Sequence, residues 1–102
     1  KGTCMSVVIV GGNEKMACQY ADICEHYGCK AKIFTKENGS LKKKMGYPDL
    51  LILFTNTVSH KMVISAAQVA KRNRIPVERI HQSSATALHT VLSKQCVACA
   101  RV

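Results

Sequence analysis

His60 and His81 each stand where an apolar stretch gives way to a run with helical spacing. Imidazole changes charge near neutral pH and is also a common metal ligand. The two histidines would suit a general acid–base pair acting on an anionic substrate, or ligation of a metal or haem iron. Their spacing matches no short metal motif, and no carboxylate or serine is clearly placed to orient either ring as a catalytic triad requires. Hydrogen-bonded loop histidines are therefore the simpler reading. Lys61 adjoins His60 and adds a fixed positive charge.

Cysteine is abundant: Cys4, Cys18, Cys24, Cys29, Cys96 and Cys99. The pair Cys96-Val97-Ala98-Cys99 has C-x-x-C spacing, which invites a redox or zinc reading. In thioredoxin-like proteins such a pair opens a helix, where the dipole favours the thiolate. Here it would close one, where the negative end opposes it. Cys96 also continues an apolar stripe, so a buried structural thiol is expected. Cys24 falls on a core face too, whereas Cys18 and Cys29 read as more exposed. The ample apolar content makes a disulfide framework unnecessary, and mostly reduced thiols are expected.

Gly11-Gly12 follows the first apolar run and reads as a tight turn, and the nucleotide fingerprints fail there. A G-x-G-x-x-G run starting at Gly11 needs glycine where Asn13 and Met16 stand; starting at Gly12 it meets Glu14 and Ala17. The acid that would hold a ribose after the second strand is replaced by Thr35-Lys36. These departures disfavour NAD-type dehydrogenase chemistry and leave a phosphate-bearing ligand allowed.

The elements that must carry these residues follow from hydrophobic patterning. Residues 6–10 and Leu50–Phe54 are continuous apolar runs, as expected of strands buried on both faces. Residues 30–34 and Val77–Ile80 alternate and read as edge strands. Asn13 can cap a helix with an inward stripe of Met16, Ala17, Tyr20, Ile23, Cys24 and Tyr27, and Gly28 suits its end. Residues 37–47 form a polar connection in which Ser40 could cap a short helix, Leu41 and Met45 turning inward. A second long helix is expected over about 59–73, with Met62, Val63, Ala66, Val69 and Ala70 inward. A last one carries Ala85, Leu88, Val91, Leu92 and Cys96 inward. Strands alternating with helices imply a parallel sheet with right-handed crossovers. The expected fold is a single three-layer α/β, Rossmann-like domain whose four-stranded sheet runs 2-1-3-4, the flavodoxin-like winding.

In such a sheet ligands bind beyond the carboxyl ends of the strands, where the winding reverses. That point gathers Gly11, Gly12 and Asn13; Thr35 and Lys36; Thr55, Asn56, Thr57, Ser59, His60 and Lys61; and His81, Gln82, Ser83 and Ser84. Helix N-termini converging there offer unpaired N–H groups and partial positive charge, so a small anion is the expected ligand. Ordinary caps and turns would use the same residue types.

With 15 Lys and Arg against 6 Asp and Glu, the formal charge is +9, which favours an anionic partner or serves solubility alone. The run Lys42-Lys43-Lys44 could meet nucleic acid, but aromatic residues make up only 5% of the chain and leave little for base stacking, so a solvated face is preferred. No apolar run reaches the roughly 20 residues of a membrane span. No signal peptide is read, Met5 is a candidate natural start with Lys1 to Cys4 as tag or frayed end, and a cytoplasmic location is expected. A four-stranded sheet has two open edges, so a homodimer is expected as well.

The segments Met5-Ser6-Val7-Val8-Ile9-Val10-Gly11-Gly12-Asn13-Glu14, Pro48-Asp49-Leu50-Leu51-Ile52, Thr57-Val58-Ser59-His60 and His81-Gln82-Ser83-Ser84 resemble a bacterial family catalogued as a domain of unknown function. The resemblance covers about residues 5–92. It implies a small Rossmann-like fold, makes Gly11, Gly12, Ser59, His60, Ser83 and Ser84 the family-pattern residues, and supplies no substrate or cofactor. The tail from Cys96 onward lies outside the pattern.

Overall fold

The computed structural model describes residues 5–35, 46–82 and 84–100, with Met5 and residues 95–100 by backbone alone. Strand β1 (Met5–Val10) leads through a 3-10 turn (Glu14–Met16) into helix α1 (Ala17–His26) and strand β2 (Cys29–Phe34). Strand β3 (Leu50–Phe54), helix α2 (His60–Asn73), strand β4 (Val77–Ile80) and helix α3 (Ala85–Ala100) follow. The four strands form one sheet in the order β2-β1-β3-β4, and every pairing is parallel. The expected α/β architecture and winding are those observed. The anticipated turn around Ser40, Leu41 and Met45 and the lysines 42–44 lie outside the described residues.

The central pair is β1 and β3, paired from Val7↔Leu50 to Val10↔Leu53. Side chains alternate across a strand, so each of these runs feeds two cores. Val7, Ile9, Leu50, Ile52 and Phe54 face α1 and α3, meeting Tyr20, Ile23, Leu88 and Leu92. Val8, Val10, Leu51 and Leu53 face α2, meeting Met62, Ala66, Val69 and Ala70. All nine strand residues are at most 2% exposed, which is why neither run could alternate. Burial of one such side chain is worth about 1.5–3 kcal/mol. Among the described residues no charged or polar side chain is buried.

Cys29 differs from expectation. It is 5% exposed and belongs to the core under α1. It stands in phase with Ala31 and Ile33, which pack on the same core, so the alternation of β2 extends back one residue and carries the thiol inward. Cys24 is buried and Cys18 exposed, both as expected, and none of Cys18, Cys24 and Cys29 is part of a disulfide. The side chains of Cys96 and Cys99 lie outside what is described. Among the described residues no helix is long and apolar enough to cross a membrane.

Candidate functional site

The parallel sheet brings the exits of β1, β3 and β4 to one edge. At the β1 exit, Gly11 and Gly12 take φ of 97° and 90°, a backbone region that side chains with a Cβ rarely enter. A Cβ on Gly12 would lie 2.7 Å from the Tyr20 ring, and one on Gly11 would lie 3.0 Å from the Phe54 carbonyl oxygen. The glycines let this turn close directly over Tyr20 and Phe54, whose rings pack at 5.2 Å.

The turn's N–H groups are used within the protein. Gly11 donates to the Phe34 carbonyl at 2.8 Å. Gly12 donates to Thr57 Oγ1 at 2.7 Å, and Asn13 donates to the Tyr20 hydroxyl at 3.1 Å. The Thr57 hydroxyl in turn donates to the Phe54 carbonyl at 3.3 Å. The Gly12–Thr57 contact joins the β1 and β3 exits. A ligand replacing these contacts would have to break a hydrogen bond for each one gained. Asn13 caps the 3-10 turn, accepting from Lys15 N–H at 2.9 Å.

The β3 exit is arranged differently. Thr55 N–H continues the ladder to the Ile80 carbonyl, and its hydroxyl donates to the same oxygen at 3.5 Å. Asn56 is exposed. Ser59 caps α2: its Oγ accepts from Met62 N–H at 3.2 Å, and its carbonyl accepts from Val63 N–H. The amides of His60 and Lys61 come before the first residue that can find an intrahelical acceptor, and both side chains are exposed. Among the described residues no hydrogen-bond acceptor meets these two amides, whereas the N–H groups of the glycine turn are all bonded.

At the β4 exit His81 and Gln82 are exposed, and Ser84 caps α3 by accepting from Ala87 N–H at 3.2 Å. Lys36 and Ser83 lie outside the described residues. Neither α2 nor α3 has an acidic residue in its first turn. Acidic residues are favoured there because they offset the positive end of the helix dipole, so these ends are left uncompensated. Glu14 in the 3-10 turn is the acid on the β1 side. Among the described residues no side-chain partner orients either His60 or His81, and no group of three or more His, Cys, Asp or Glu is placed to hold a metal ion.

Tyr20 is the residue that sequence reasoning underrated. Helical spacing placed its ring in the core, yet its hydroxyl also reaches the outer loop and fixes Asn13.

A family model described as an uncharacterized protein conserved in bacteria, DUF2325, matches residues 6–95. The chain belongs to that family. The match takes in every candidate residue of this edge, from Gly11 to Ser84, and stops short of Cys96 and Cys99. No curated protein and no solved structure gave a match. The DUF2325 match supports the resemblance carried by the opening V-I-V-G-G and the later V-S-H, and like it names no ligand.

Proposed function

We propose that this DUF2325 chain is a binding or regulatory domain for a small phosphate-bearing anion, held at the carboxyl edge of the sheet by the first turn of α2. One observation carries the reading: α2 and α3 both start at this edge under serine caps, with no acid in either first turn. The amides of His60 and Lys61 would meet the phosphate oxygens, with the Lys61 ammonium and the exposed His60 and His81 rings beside them. Asn56 borders the same surface. Gly11, Gly12, Asn13 and Thr57 would shape it, and the hydrogen bonds they already make favour a place in the wall over one in the donor set.

A catalytic role for His60 and His81 has less support, because among the described residues no carboxylate orients either ring. A second copy of the chain is the proposed protein partner, joining through an open edge of β2 or β4.

Calorimetric titration with inorganic phosphate, pyrophosphate and ATP tests the ligand class. Saturable binding that Lys61→Glu weakens by about tenfold, some 1.4 kcal/mol, is expected. Absence of saturable binding by all of these anions at low ionic strength would overturn the reading.

A further inference from the structure

A separate cavity lies in the amino-terminal half of the sheet. Ser6 pairs with Lys30 and Val8 with Lys32 across β1 and β2. Residues two apart on a strand share a face, and Val8 belongs to the core under α2. Lys30 and Lys32 therefore both rise from the α2 face of the edge strand. A cavity of about 390 Å³ opens there, lined by Ser6, Val8, Lys30, Lys32, Tyr47 and Pro48 among others. Its volume falls within the range of about 300–1,000 Å³ found for small-molecule sites.

The lining combines complementary chemistries. Tyr47 is 83% exposed, the largest exposure of a large hydrophobic side chain among the described residues. Its ring offers a face for stacking at the cavity wall. Pro48 and Val8 supply buried apolar surface, and the exposed Lys30 brings positive charge to the same wall from β2. Asp49 is the acid nearest in sequence, and its carboxylate is engaged by Ser6 N–H at 2.8 Å. At Gly46 an added Cβ would meet nothing within 4 Å among the described residues.

We infer that this cavity binds a small aromatic anion: a flat ring stacked against Tyr47, with a carboxylate or phosphate set against Lys30. It lies at the opposite end of the strands from Ser59, His60 and Lys61 and does not depend on the reading of that edge.

The test is an amide-resolved nitrogen-15 titration of the full chain with benzoate, with adenosine monophosphate and with inorganic phosphate. Saturable shifts at Lys30, Ala31, Lys32 and Tyr47 are expected with at least one of the ring-bearing anions. Saturation by benzoate alone or by the nucleotide alone identifies which ring-bearing anion the cavity accepts, and phosphate alone should leave these amides unmoved. Tyr47→Ala and Lys30→Gln, both at exposed positions, should each weaken binding by at least about fivefold with melting unchanged. Lys61→Glu should leave this response intact. The inference is overturned by shifts with neither ring-bearing anion, by an equal response to phosphate alone, or by variants that bind as the parent does.

Discussion

Gly12 leaves no room for even a methyl group between the β1 exit and the Tyr20 ring. Gly12→Ala combines that clash with an unfavourable φ and should destabilise by about 2 kcal/mol, read as a lower urea midpoint with an unchanged slope. Thr57→Val tests the neighbouring link. It removes the acceptor for Gly12 N–H and should cost about 1 kcal/mol, with Thr57→Ser restoring most of it. A pair of glycines after an apolar run was legible in the sequence as a tight turn. What the turn closes on was not, because spacing gives the face on which Tyr20 sits and not the reach of its hydroxyl. Cys29 shows a similar limit: its burial follows only once the phase of β2 is carried back past Lys30.

At the level of elements, Ser59 and Lys61 share one helix end and make opposite contributions. Ser59→Ala removes the cap of α2 and should lower stability by about 1 kcal/mol in thermal or denaturant unfolding. Lys61→Glu places a negative charge at the positive end of the helix and should raise stability by about 0.3–1 kcal/mol while weakening anion binding. A variant that is more stable yet binds less separates a functional lysine from a structural one. The arrangement of these elements was readable because residues 7–10 and Leu50–Phe54 are apolar without a break, and only central strands of a covered parallel sheet need that. The division of labour among the exits was not readable. Gly12 and Lys61 both carry backbone N–H groups at the same edge, and only the hydrogen-bond partners distinguish an amide already bonded from one that is not.

For the molecule as a whole, a formal charge of +9 means that affinity for any anion should fall with salt. Among the described residues the outer strands β2 and β4 each pair on one side only, which leaves two edges able to extend the sheet. Light scattering coupled to gel filtration should therefore report twice the chain mass of 11.2 kDa, and a mass of 11.2 kDa that persists at high concentration would remove the dimer. The most direct measurement concerns the carboxyl edge: inorganic phosphate added to nitrogen-15-labelled protein at low salt, with every backbone amide followed. The account predicts saturating shifts that are largest at His60 and Lys61 and small at Gly12 and Asn13, whose N–H groups are already bonded. No saturable response, or one centred on the glycine turn, would contradict it.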